Sequence, residues 1–132
     1  AFVLAAEAAP ATADLTGEWT GAPSQKCKNN KCRISGTFVA RNTGTVDSVA
    51  ASVSFFLSND AVFDETDTPI RTSELPAMSA GGSTSFDLKK KQRLKLPNGV
   101  SASGRFVIAV VDAGDTVDEG SEGNNAVAAQ VP

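Results

Sequence analysis

The chain of 132 residues contains no histidine and no tyrosine, a single tryptophan, a single methionine and only two cysteines. Without histidine it cannot build Ser-His-Asp or Cys-His catalytic groups, bind a metal through imidazole, or use a histidine as a pH switch. The net charge of −3 is also the wrong sign for non-specific nucleic-acid binding, which needs a basic protein. The composition therefore excludes several common classes of enzyme and predicts no nucleic-acid partner.

Long apolar runs are missing as well. No segment approaches the roughly 20 apolar residues of a membrane-spanning helix, so we expect no direct membrane insertion. The Ala- and Pro-rich segment 1–13 ends in Ala11-Thr12-Ala13, which has the form of a signal-peptidase site. We expect residues 1–13 to be either the remnant of a signal peptide or an interdomain linker, and residues 14–132 to form one folded domain.

The two cysteines, Cys27 and Cys32, flank the four residues Lys28-Asn29-Asn30-Lys31. Asparagine tolerates positive φ and favours a tight turn, which would bring the two cysteines within disulfide reach. Two thiolates without further ligands do not complete a zinc site, and the spacing is not that of a C-x-x-C redox pair. The spacing favours a structural disulfide over free thiols, and hence an extracellular, cell-surface or periplasmic location.

Short segments with period-two hydrophobicity fill the rest of the chain, and none has a helical period. Turn residues separate these segments, which predicts an all-β, immunoglobulin-like antiparallel sandwich of about seven strands; a small barrel of other topology is the alternative. Pro69–Leu75 is expected to be an edge strand because it begins with proline. The predicted inward-facing sets are Ile34, Phe38 and Ala40; Ala51, Val53, Phe55 and Leu57; and Phe106, Ile108 and Val110.

Several segments, taken in order, resemble a known family. They are Val39-Ala40-Arg41-Asn42-Thr43-Gly44, Ser54-Phe55-Phe56-Leu57-Ser58-Asn59-Asp60, Leu75-Pro76-Ala77-Met78-Ser79-Ala80-Gly81, and Gly104 to Asp112 followed by Val117-Asp118-Glu119 and Glu122-Gly123-Asn124-Asn125. Together they are similar to CARDB, the cell-adhesion-related domain found in bacteria. The resemblance implies an immunoglobulin-like module of an exported or surface protein, often one of several, without a catalytic motif.

Two acidic loops are candidate calcium sites, because calcium prefers oxygen ligands from loops. Neither has EF-hand spacing, so the alternative is that their side chains make turn hydrogen bonds and keep the surface soluble. In an immunoglobulin-like order, the loops lie at opposite ends and cannot share an ion. The candidate ligands are Asp60, Asp64 and Asp67 in the first loop, and Asp112, Asp115, Asp118 and Glu122 in the second.

Two basic clusters are also present. The first surrounds the cysteines and is expected to lie near the first acidic loop. The second predicts a binding site for an anionic polymer such as a polysaccharide; alternatively, it is a solvated strand face that prevents unwanted strand pairing. The first cluster is Lys26, Lys28, Lys31 and Arg33, and the second is Lys89, Lys90, Lys91, Arg93 and Lys95.

These patterns favour a noncatalytic interaction or spacer module of an exported or cell-surface bacterial protein, related to adhesion. The alternatives are a calcium-dependent carbohydrate-binding module and an accessory domain of a secreted enzyme. Expected partners are neighbouring domains of a larger protein, and a surface protein or polysaccharide. Apart from calcium, no cofactor is expected. Carboxylates at opposite ends do not form a glycosidase pair, and the single Trp19 offers little aromatic surface to a sugar.

Overall fold

The computed structural model describes residues 13–111 and 126–132. In these ranges the chain forms eight strands and one short 3-10 turn, Lys90–Gln92, and no helix is long and apolar enough to span a membrane. The strands are β1 Leu15–Lys28, β2 Lys31–Asn42, β3 Ala51–Ser58, β4 Thr68–Leu75, β5 Ser83–Leu88, β6 Leu94–Lys95, β7 Phe106–Val111 and β8 Ala126–Gln130.

The strands form two antiparallel sheets. The first has the order β1-β2-β5, with the two-residue β6 also paired to β2, and the second has the order β4-β3-β7-β8. β3 and β7 are antiparallel neighbours, and β4 lies at the edge of its sheet as predicted. The architecture confirms the predicted immunoglobulin-like sandwich of about seven strands, with β6 as a short addition.

Aromatic rings fill the space between the sheets. Phe38 of β2 and Phe55 of β3 are fully buried, and their ring centroids are 6.0 Å apart. Trp19 covers the edge of this core, 5.2 Å from the ring of Phe38, and its indole N–H donates to the carbonyl of Val127 in the other sheet. This bond joins β1 to β8. The predicted inward residues of β2 and β3 are confirmed as part of the core or packed against it.

The predicted orientation of β7 is wrong. Phe106, Ile108 and Val110 were expected to face the core, but β7 pairs with β3 so that Ala109 lies opposite Phe55. β7 is apolar at every position, so its sequence does not show which residues face the core. Only the pairing with β3 decides which side of β7 faces inward. Ile108 is buried outside the central core cluster. The residues of β7 that join that cluster are Val107, Ala109 and Val111.

The chain enters and leaves the sandwich at opposite ends. β1 and β2 are joined by Asn29-Asn30, whose φ angles of 53° and 64° are those of a type I′ turn; we call this end the hairpin end. The described part of the chain starts at the other end, where Ala13 is buried in the core. It leaves at the hairpin end, where Ser103 donates to the carbonyl of Pro132.

Candidate functional site

A disulfide closes the hairpin. Cys27 and Cys32 occupy directly paired positions on β1 and β2, and their sulfurs are bonded at 2.01 Å. Cys32 is buried whereas Cys27 is exposed. The predicted disulfide is confirmed, and the type I′ turn beside it places the paired cysteines next to each other.

The hairpin is also held by the segment that follows β6. The N–H of Leu96 donates to the carbonyl of Cys32 at 3.1 Å, and the N–H of Gly99 donates to the carbonyl of Asn30 at 2.8 Å. Further back on β1, the amide oxygen of Gln25 accepts from the N–H of Ala102. The turn and both strands are therefore fixed to the rest of the domain.

Cations stand side by side on one face of this hairpin. In the strand register, Lys26 of β1 is paired with Arg33 of β2, and Arg33 is paired with Lys95 of β6. Directly paired residues project from the same face, so these three form a row across three strands. One step nearer the tip, Lys28 is paired with Lys31 on the same face.

The 3-10 turn continues the row. Lys90 has a left-handed φ of 51°, which bends the chain between β5 and β6, and the guanidinium Nε of Arg93 donates to its carbonyl. Across the sandwich, Arg71 of β4 donates to the carbonyls of Gln92 and Arg93 at 2.9 and 2.6 Å. Arg71 thus fastens the turn to the second sheet.

Two adjoining clefts result, and Arg33 and Arg93 line both of them. The clefts join most of the two basic clusters that the sequence shows as separate. Lys89 is not among the lining residues; it forms a salt bridge with Asp87 at 3.6 Å. We call the cationic surface of the two clefts the basic face: Lys26, Lys28, Lys31, Arg33, Lys90, Lys91, Arg93 and Lys95.

The first acidic loop is at the same end, because β3 ends there at Ser58, opposite Phe106. It lines a separate, smaller cleft that Arg105 also lines. Within the described ranges, no salt bridge links this loop to the hairpin. The predicted placement of the cysteine hairpin and the first acidic loop at one end is confirmed.

Carboxylates of the first acidic loop accept hydrogen bonds from their own loop. Asp60 accepts from the N–H of Val62, and Asp67 accepts from the N–H of Asp64. Asp64 accepts from both the hydroxyl and the N–H of Thr66, which together hold the pKa of Asp64 below its ordinary value. These are turn-forming contacts of the kind that aspartate makes in loops.

Metal-binding geometry is missing from the part of the chain that the structure describes, where no three His, Cys, Asp or Glu side chains are close enough to hold an ion. Asp60, Asp64 and Asp67, which lie in that part of the chain, do not form such a group. The second set of candidate ligands, Asp112, Asp115, Asp118 and Glu122, lies outside the described residues.

The two sheets and the clamped hairpin define an immunoglobulin-like β-sandwich module. The chain belongs to the CARDB family, whose model matches residues 12–129. No curated protein matches the sequence significantly.

Solved structures show the same fold. One is the CARDB domain of a protein from Pyrococcus furiosus in complex with di-metal ions, which is 16% identical with a TM-score of 0.60 and covers 92% of this chain and 90% of its own. Another is a domain of a proposed cell surface protein from Methanosarcina acetivorans, which is 19% identical with a TM-score of 0.61 and covers 89% of each chain.

Proposed function

We propose that this domain is a noncatalytic spacer and interaction module of an exported or cell-surface protein. The observation that carries the proposal is that the described chain passes Ala13 at one end of the sandwich and Pro132 at the other. Segments attached before and after the domain would be held apart by the full length of its strands. A module built in this way adds length to a protein and exposes its loops between the attachment points.

The proposed location rests on the Cys27–Cys32 disulfide, because such bonds persist in oxidising compartments and are rare in the cytosol. The relative from Methanosarcina acetivorans, described as a proposed cell surface protein, points the same way. A role in adhesion would follow from display at the surface together with a surface that binds a partner.

The absence of catalysis is part of the proposal. Its support is that the two clefts of the basic face are lined by cations, while the aspartates of the first acidic loop accept hydrogen bonds from their own backbone. Neither arrangement pairs a proton donor with a base or nucleophile, which acid–base catalysis would require.

Small-angle X-ray scattering tests the spacer role. The full-length protein encoded by the gene is compared with a version in which residues 13–132 are replaced by a short Gly-Ser linker. The maximum dimension should fall by about 40 Å, because the longest strands hold 12 and 14 residues and a strand rises roughly 3.3 Å per residue.

The control replaces the same residues by an unrelated domain of similar mass whose two termini lie at one end. That version should also be shorter than the natural protein. An unchanged maximum dimension in the version with the Gly-Ser linker would contradict the spacer role. So would a full-length gene product that has no folded domain before or after residues 13–132.

A further inference from the structure

We infer that the basic face is a binding site for an acidic polysaccharide. Eight of the twelve Lys and Arg residues of the chain belong to this one surface, although the whole protein has a net charge of −3. Such segregation concentrates positive potential over the two clefts and attracts polyanions. The inference rests on the proposed function only for the display of this surface outside the cell.

The register of the strands makes the arrangement unfavourable in the free protein. Lys26, Arg33 and Lys95 are direct cross-strand neighbours, and like charges in such positions destabilise a sheet. Among the residues that the structure describes, no Asp or Glu lines either of the two clefts. The salt bridges of the described ranges involve Arg41 and Lys89, neither of which belongs to the basic face. An anion bound across the row would relieve this repulsion.

The backbone that carries these cations is already fixed. The disulfide and the Leu96 and Gly99 backbone bonds hold the hairpin, while Arg71 holds the 3-10 turn. A site held in place before binding loses less conformational entropy when the ligand arrives. Arg33 and Arg93, at the junction of the clefts, can each bind a carboxylate or sulfate group through two parallel hydrogen bonds.

The surroundings favour a hydrated polymer over other polyanions. Among the described residues that line the two clefts there is no aromatic ring on which a base could stack. The exposed large apolar side chains of the described ranges are Val46, Val49, Val62 and Phe63, none of which lines these clefts, so the basic face lacks the apolar anchors of a membrane-binding surface. Acidic sugars need neither feature.

The test measures binding of the 132-residue chain to polygalacturonate and dextran sulfate by isothermal titration calorimetry, with neutral dextran as the uncharged probe. We expect both acidic polymers to bind, with an affinity that falls as salt rises, and neutral dextran not to bind. The double variant Arg33→Gln with Arg93→Gln should bind about ten-fold more weakly, because it loses two charge-assisted contacts.

The matched control is Arg41→Gln with Lys89→Gln, which removes the same charge from outside the basic face and should change the affinity by no more than about two-fold. Circular dichroism establishes that both variants are folded. Equal weakening in the two double variants, or no binding of either acidic polymer, would overturn the inference. So would tighter binding of a single-stranded oligonucleotide or of vesicles containing anionic lipid. Because this test uses the isolated domain, a negative result would overturn the polysaccharide site but leave the spacer role untouched. The spacer role is tested separately by the scattering experiment.

Discussion

At the scale of single residues, Asn42 organises the end of the sandwich at which the chain enters. It is fully buried, and its side-chain oxygen accepts from the N–H groups of Asp14 and Gly44 at 3.1 and 3.0 Å. Its amide nitrogen donates to the carbonyls of Val46 and Met78 at 2.8 and 3.3 Å. One side chain thus supplies partners to three segments that pass through this end.

Replacing the Asn42 side chain should strongly destabilise the fold. In Asn42→Ala, the backbone groups that it satisfies lose their partner inside the protein, and each unsatisfied buried group costs roughly 1–3 kcal/mol. We expect the free energy of unfolding to fall by about 3 kcal/mol, measured by urea denaturation. The control is Asn59→Ala, at an exposed position, which should be close to neutral. A similar loss in both variants would show that the network around Asn42 is unimportant.

The sequence could predict Asn42 only as part of a turn, since asparagine is common there. Its burial depends on Ser79 to Gly82 folding back beside it, where the N–H of Gly81 donates to the carbonyl of Asn42. That contact joins residues far apart in the chain, and local pattern carries no information about it.

At the scale of elements, the β1–β2 hairpin combines a local turn, a cross-strand disulfide and the backbone bonds from the segment after β6. The disulfide encloses only the four residues between the cysteines, so its effect on the entropy of the unfolded chain is limited. The backbone bonds from Leu96 and Gly99 hold the same hairpin from outside that loop.

Removing the disulfide should therefore weaken the fold without destroying it. For Cys27→Ser with Cys32→Ser, we expect a loss of about 2 kcal/mol on the chain-entropy model, with the far-ultraviolet circular dichroism of the strands retained. Thermal and urea denaturation measure the loss, and the reduced natural protein should match the double variant. Complete loss of strand signal on reduction would mean that the hairpin depends on the disulfide for its structure.

The strands differ in how well the sequence predicts them. β2 and β3 alternate between apolar and polar residues, and their inward faces are correctly predicted. β7 is apolar throughout, so its inward face is set by the register with β3. β6, with two residues, is too short to give a period and exists because it pairs with β2 at Arg33 and Ile34.

At the scale of the whole molecule, the two sets of candidate calcium ligands belong to different parts of the chain, of which the structure describes only the first. β7 ends and β8 begins at the end where the chain enters, whereas the first acidic loop is at the hairpin end. The aspartates of this loop accept hydrogen bonds from their own backbone and do not form a close group of three ligands.

We therefore expect the first acidic loop to contribute nothing to calcium binding. A variant with Asp60, Asp64 and Asp67 each replaced by asparagine should show the same calcium-dependent change in melting temperature as the natural protein, whatever its size. The companion variant replaces Asp115 and Asp118 by asparagine in the second loop. A calcium-induced rise in melting temperature that the first variant loses and the companion keeps would show that the first loop does bind the ion.

The sequence by itself determined the features that depend on neighbours along the chain: the alternating strands, the Asn-Asn turn and the pairing of the two cysteines. Each follows from the period of a strand or the reach of a short loop. Tertiary structure alone decided that most of the two basic clusters share one face, and that Lys89 lies outside that face. It also decided that Val107, Ala109 and Val111 of β7 face inward. These depend on which strands lie side by side and in what register, and that is settled by contacts between residues distant in sequence.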